Sequence, residues 1–432
     1  MSTPQMLRGI VAVLAVLLAA AVAPAEPPPE GAKPPRQGVA AVLVKDFLRL
    51  ENVGQDVPDV EFLRYFPKAD HEQFPVARWL RAETDDGEPV SVAVAAVHED
   101  PAGNLVHTLR LERAPARTGV TVTITSLVLR REPPLPRGEF PIPEDPSEYP
   151  GEVRPYLAST AMVVHDDPVI REMAAAMRER AGGDVIRFAR EVSRHMNTKP
   201  YESSEAADWG GRPTSLVVLE HGGSCCSSAV GAAALLRSAG IPAQVTYTPV
   251  GYVHGVVQFY VLGHGWVRMD ATCGSSRVPL VQDMDGRELV RLFDTPIGME
   301  RLAMAFAWPY FHNTYDASYA FWSRGRKVPT IHFGGGRGEH DPTGMGWVQE
   351  PFPHLVPGSW SKVMGMRWWR VGDETWDRLA TASREAIKTD ATGPLRGVLE
   401  ELKRAGLALG FEEIVTKAQH YGPLEPAEDR GL

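Results

Sequence analysis

Between residues 40 and 131 the apolar positions recur every second residue or gather in short β-branched runs, with turn residues between them. PVSVAVAAVH at 89–98, LVHTLRLE at 105–112 and VTVTITSLVLR at 120–130 carry the pattern. Asp85-Asp86-Gly87 and Asp100-Pro101-Ala102-Gly103-Asn104 interrupt it. A period of two belongs to strands with one buried face, and Asp and Gly at the breaks supply the turns. The segment therefore predicts a small all-β sandwich domain over 40–131. Nothing in it gathers acids, histidines and nucleophiles, so packing or recognition is its expected task.

The period then changes. Eight prolines between 132 and 160 exclude a helix interior or a central strand, and this stretch reads as a linker laid against the surface. A helix is predicted over 168–181: Asp167 can cap it, Pro168 suits its first position, and Ile170, Met173, Ala174 and Met177 share a face. Asp184 starts a second helix that runs toward Tyr201. A third follows Cys225, where Ala229, Ala232, Ala233 and Leu236 line one face and Gly240 and Pro242 end it. HGVVQFYVL from His254 and WVRMD ending at Asp270 read as strands joined by the turn Gly263-His264-Gly265. The region 161–281 thus mixes helices with strands, which makes the chain α+β. Residues 282–432 read as a mainly helical and loop extension, with helices at 299–311, 374–387 and 395–409 and loops over 331–360.

The first 38 residues stand apart. Arg8 precedes the apolar run Gly9–Ala23, and Ala23-Pro24-Ala25 offers small residues for cleavage, so 1–25 reads as a signal peptide and the protein as exported to periplasm or medium. The run is short of the ~20 apolar residues of a membrane span; an uncleaved anchor is the alternative. EPPPEGAKPPRQG at 26–38 reads as a Pro-rich tether. With 44% hydrophobic and 23% charged residues, the remaining chain has the composition of ordered globular domains. A formal net charge of −9 gives no basic field for nucleic acid. Oligomeric state is not readable.

Three cysteines, Cys225, Cys226 and Cys273, lie close together in the chain, too few and too odd in number for a disulfide framework. Cys225 falls at a predicted helix start, where unpaired amides and the positive end of the helix dipole favour the nucleophilic thiolate. The glycines before it, Gly222 and Gly223, would let a substrate backbone approach. A thiolate needs a proton acceptor and a group to orient that acceptor. His254 and Asp270 are the best candidates, ahead of His264 in a turn and His221 before the glycines. A hairpin with a three-residue turn points both to one sheet face but leaves them several residues apart, so a bulge or bend is expected to bring them together.

These residues resemble a known family. GSCCSSAVGAAALLRSAGIPA, then His254, then GWVRMDAT is similar to the transglutaminase-like superfamily core. In that core a Gly-x-Cys helix ends in Arg-x-x-Gly-Ile-Pro-Ala, and a His strand precedes Gly-Trp-x-x-x-Asp. Counting back from Arg237 and Gly240 selects Cys225 over Cys226; counting forward from His254 meets Trp266 and then Asp270. The resemblance implies a papain-like Cys-His-Asp fold over 161–281. In water-rich surroundings hydrolysis is expected over cross-linking, and the resemblance implies attack on peptide or protein amides through an acyl-enzyme that water or an amine resolves. It needs no cofactor or metal, and it makes Trp209 a second oxyanion donor beside the Cys225 amide. Gly223, Ser224 and Trp266 become the expected substrate contacts. The sequence departs from the family at Val256, where a Trp is usual, at Cys226, a commonly polar position, and at Gln244, where Arg is common.

Other readings compete. Cys225 as an inert buried thiol, on a scaffold that kept the fold without the chemistry, is the alternative from another class. Cys226 is expected to pack inward or pair with Cys273. Asp270 could simply hold a turn. His165-Asp166-Asp167 and His340-Asp341 lack metal-ligand spacing, Asp283 and Asp285 lack the Glu of a calcium loop, and Gly334–Gly338 has no strand–helix setting for a phosphate.

Overall fold

The computed structural model describes residues 39–131, 136, 138–200, 212–250, 252–272, 290–291, 293–295, 297, 321–333, 345–351, 372–389, 392–404 and 415. Three antiparallel sheets organise them. The first is built on β1 (Val39–Asn52), β7 (Thr118–Arg131) and β3 (Gln73–Thr84), with the short β4 (Pro89–Val90) on β3. The second contains β2 (Val57–Tyr65), β6 (Leu105–Ala114) and β5 (Val92–Glu99). One apolar cluster, including Leu48, Leu50 and Val122 of the first sheet and Val60, Phe62 and Leu109 of the second, lies between them. The turns form where the sequence breaks: Gly87 and Gly103 take positive φ, and the Asp100 carboxylate accepts from the amides of Ala102 and Asn104.

Later parts of the chain complete these sheets. β12 (Trp322–Ser323) pairs with β2 and carries β13 (Arg326–Lys327); β14 (Ile331–Phe333) and β15 (Met345–Pro351) both pair with one edge of β1; β16 (Gly393–Pro394) pairs with β3. Residues 331–333 and 345–351 are thus strands where loops were expected. Both runs are too short to show a period, and what makes them strands is the exposed edge of β1, some 300 residues back in sequence. The predicted helices at 374–387 and from 395 appear as Asp373–Thr389 and Arg396–Arg404. Trp376, Leu379, Ile387, Leu395 and Val398 cover the second face of the first sheet, against Leu43, Phe74, Val76, Leu127 and Leu129. The central strand β7 is therefore buried on both faces. The helix expected at 299–311, the glycine run 334–338, the signal peptide and the tether lie outside the described residues.

Residues 168–269, with 293–294, form a separate layer. Helix α1 (Pro168–Ala181) is capped by Asp167, whose side chain accepts from the Val169 amide, and α2 (Val185–Asn197) is capped by Asp184. Helix α3 (Thr214–His221) leads into α4 (Cys225–Ser238). The third sheet runs β10 (Gly265–Met269), β9 (Tyr252–Val261), β8 (Ala243–Val250), β11 (Phe293–Asp294). Helix α4 packs on β8 and β9 with one side and on α1, α2 and α3 with the other, so it is buried all round rather than on the single predicted face. Its small residues make that possible: a Cβ on Gly231 would meet Val218 Cγ1 at 2.6 Å. The two C-terminal helices are α5 (Asp373–Thr389) and α6 (Arg396–Arg404). Of the Pro-rich segment, Ile142 and Tyr149 are buried, and Ala158 offers its carbonyl to Arg237.

A seam of buried charges joins this layer to the β region. Lys68 reaches Asp294 at 2.6 Å, Arg291 reaches Asp294 at 3.0 Å and also Asp70, and Arg268 reaches Glu72 at 2.9 Å. Thr246 donates to Asp294 at 2.7 Å. Burial pushes the Asp294 carboxyl up, but Arg291 and Lys68 outweigh it and hold the group well below the usual carboxylate range. Each charge is taken out of water and each is answered, the condition under which buried ions are tolerated.

Candidate active site

Cys225 is the first residue of α4, behind Ser224 in extended conformation with its side chain accepting from the Ser227 amide. The approach is tightly built. Gly222 has φ +88°, and a Cβ there would lie 2.1 Å from the Pro200 carbonyl oxygen; on Gly223 it would lie 2.2 Å from Ser227 Oγ. Gly223 and Ser224 are both buried and serve the helix start.

Of the bulge or bend expected to bring His254 and Asp270 together, the paired strands contain no bulge. The β9–β10 register runs unbroken from Val261 opposite Gly265 to Val257 opposite Met269. One further step sets Asp270 opposite Val256, with His254 diagonal to it on the same sheet face. A diagonal pair of this kind is within reach of a long side chain. His254 Nε2 lies 2.7 Å from Asp270 Oδ2. The other carboxylate oxygen, Oδ1, accepts from the Thr272 amide and hydroxyl, both at 2.8 Å. Asp270 therefore holds a turn and the imidazole at once, and Thr272 fixes its orientation. Sequence reasoning did not single out Thr272, although Asp-x-Thr is a recognisable local hydrogen-bonding pattern.

With Nε2 engaged by Asp270, Nδ1 is the ring nitrogen left for sulfur. Burial pulls the His254 imidazole down, but Asp270 and then Cys225 more than compensate and raise it to about 10. The Cys225 thiol moves the opposite way, well below its ordinary range: the Cys226 thiol bonds to it, burial opposes, and His254 and the Gly255 amide add to the lowering. The Cys225 and Cys226 sulfurs are 3.8 Å apart. Opposite shifts in two touching groups are those of a thiolate–imidazolium pair. Both sulfurs are fully buried; the ring of His254, 16% exposed, brings the site to the surface.

Two further residues matter that the sequence did not mark. Gly255 lets β9 press on the helix start, since a Cβ there would meet Cys226 Cα at 2.8 Å. Thr248 sits directly opposite His254 in the β8–β9 register, and its fully buried hydroxyl makes no hydrogen bond. Trp266 is half-buried between Tyr156 and Tyr260, with ring centroids at 5.2 and 5.4 Å. It lies four residues along the strand from Asp270, roughly 13 Å. His221 is a surface side chain beside Glu220, and His264 lies in the hairpin turn near Phe140. Trp209 and Cys273 lie outside the described residues. Among the described residues no group of three or more His, Cys, Asp or Glu side chains is set to hold a metal ion, and no helix is long and apolar enough to cross a membrane.

Residues 171–271, from α1 to just past Asp270, match the model of the transglutaminase-like superfamily core, and this part of the chain is a transglutaminase-like core. The chain is also similar to a crystal structure described as "a Putative Cysteine Protease from Cytophaga hutchinsonii", at 14% identity over 72% of this chain and 98% of that one, TM-score 0.44. A second, "a Putative Protease from Parabacteroides distasonis ATCC 8503", matches at 14% identity over 57% of this chain and 49% of that one, TM-score 0.23. No curated protein matches the chain.

Proposed function

We propose that this chain is an exported thiol enzyme that opens amide bonds of peptides or proteins through an acyl-enzyme on Cys225, passing the acyl group to water rather than to an amine. The observation that carries the reading is the Cys225–His254–Asp270 array, with the 2.7 Å bond from His254 to Asp270 and the helix start beneath the sulfur. The Cys225 thiolate attacks the amide carbonyl carbon, and a C–S bond forms as the carbonyl electrons move to oxygen. The Cys225 amide is suited to receive that oxyanion, with the Trp209 indole N–H as the second donor. His254 gives its proton to the departing amine as the C–N bond breaks. Water then attacks the thioester, neutral His254 takes its proton, and the C–S bond breaks to return the thiolate. Asp270 stays ionised and keeps Nε2–H pointed at itself.

In this reading residues 1–25 direct export and are removed, the two-sheet region is a sandwich serving packing or substrate recognition, and Trp266 contributes to the substrate surface while Gly223 and Ser224 shape the helix start beneath it. No cofactor and no nucleic acid enters. A thiol-directed probe followed by mapping of the labelled peptide tests it. Cys225→Ala loses labelling and amine release from peptide substrates, while Cys226→Ala keeps both; equal labelling of the two variants overturns the assignment. One observation favours a catalytically silent scaffold instead: the Cys225 sulfur has no exposed surface. Alkylation of Cys225 no faster near neutral pH than that of an ordinary thiol would decide for the scaffold.

A further inference from the structure

Neighbouring residues on a helix point roughly 100° apart, so adjacent side chains do not ordinarily face each other. Cys225 and Cys226 break that rule, with sulfurs 3.8 Å apart at the first turn of α4. The convergence is built in from two sides. Gly255 of β9 sits against the Cys226 backbone and sulfur, so close that a Cβ would approach that sulfur at 3.1 Å. His254, next to it in sequence, contacts the Cys225 sulfur and, oriented by Asp270, favours its ionised form. One sulfur is therefore a nucleophile and the other is held beside it.

We infer that Cys225 and Cys226 form a reversible oxidation site for small hydroperoxides, in which Cys226 resolves an oxidised Cys225 as a disulfide between adjacent residues. The inference rests on the reading of Cys225 as the ionised nucleophile. The Cys225 thiolate attacks one peroxide oxygen and the O–O bond breaks, leaving a sulfenic acid and, after protonation, water or an alcohol. The Cys226 sulfur then attacks the Cys225 sulfur, the S–O bond breaks, the oxygen leaves as a second water, and the Cys226 proton goes with it. Two electrons pass from the thiol pair to the peroxide in all. Closing the ring draws the sulfurs from 3.8 Å to about 2.05 Å across one peptide unit, which strains the helix start. A strained disulfide is easily reduced, so the product is a short-lived cap on the nucleophile rather than a structural bond. It spares Cys225 from sulfinic acid, the irreversible end of the same ladder.

The test uses the full chain and hydrogen peroxide, with intact mass and peptide mapping after denaturation and alkylation of remaining thiols. The oxidised protein is expected to lose two hydrogens and two of its three alkylatable thiols, to show Cys225 linked to Cys226 within one peptide, and to revert fully with dithiothreitol. Cys226→Ser is expected to gain two oxygens at Cys225 instead, without recovery. Three results overturn the inference: dioxidised Cys225 in the wild type with Cys226 still alkylatable, a link to Cys273 in place of Cys226, or reversible protection that persists in Cys226→Ser. Probe labelling in parallel separates the two readings. A Cys225 that labels rapidly yet forms no bridge defeats this inference alone, whereas one that fails to label defeats the catalytic assignment beneath it.

Discussion

The two halves of this molecule are assembled on different scales of sequence. The site comes from neighbours: Cys225, His254 and Asp270 span under fifty residues, and β8, β9 and β10 follow one another along the chain as they do in the sheet. The first sheet of the β region draws β1 from residues 39–52, β15 from 345–351 and β16 from 393–394. Chemistry here is local and architecture is remote. Substitutions in the first should change reactivity with little change in stability, and substitutions in the second should do the reverse.

The largest expected departure is at Asp270. Asp270→Asn removes the charge that orients the imidazole, and amide turnover should fall on the order of 10²–10⁴-fold in protein that a thermal melt shows to be folded. An equal turnover would show that His254 is held by packing alone. Trp376→Ala takes the opposite corner. A fully buried indole leaves the face shared by α5 and the first sheet, costing about 3–5 kcal/mol in denaturant unfolding, while the pH dependence of Cys225 alkylation stays put. Asp294→Asn strikes the seam between the halves and should cost a similar ~3–5 kcal/mol, because Lys68 and Arg291 lose a buried counter-charge.

Gly255→Ala should act on both halves of the comparison at once, at about 1–3 kcal/mol, since the added methyl pushes β9 off the helix start and displaces the sulfurs. The pH response is subtler. The raised His254 pKa adds stability that is complete below the ordinary imidazole value and lost as pH climbs through about 10. The lowered Cys225 pKa adds stability present above the ordinary thiol value and lost as pH falls through the depressed one. Cys225 alkylation should therefore already be near its plateau at neutral pH, and amide turnover should fall above pH about 10 as His254 loses the proton it donates. A rate that keeps rising like that of an ordinary thiol, with pKa about 8.5, would contradict the pairing. Thr248→Val is the smallest change: it removes a buried hydroxyl that has no partner, so stability measured by thermal melting should hold or rise by up to about 1 kcal/mol.

What could be read from the sequence follows the same division. Caps at Asp167 and Asp184, the Cys225 helix with its Gly240 end, and the His254 and Asp270 strands are all signals confined to a few residues, and each appears in the structure where expected. The hairpin was harder. Its turn residues were visible, but the unbroken register that makes His254 and Asp270 diagonal neighbours is set by pairing geometry, which composition does not encode. The strands at 331–333 and 345–351 were invisible because their partner is β1, and no local period announces a partner three hundred residues away. Gly255 carried no local signal of its own beside the Val256 departure. Its meaning is a contact with Cys226 that exists only once β9 lies on α4.

The seam of buried ions has a consequence for how this protein can be divided. A fragment trimmed to the 171–271 match would leave behind Glu72, the acid that answers Arg268, and Asp294, the acceptor of Thr246, and would uncover the β8 edge that β11 closes. Its polar sheet face, dry in the whole chain, would meet solvent along its length. The unit expected to fold is accordingly the core together with the sheets it leans on, and a transplant of the reactive hairpin and helix alone would need new counter-ions designed into its host.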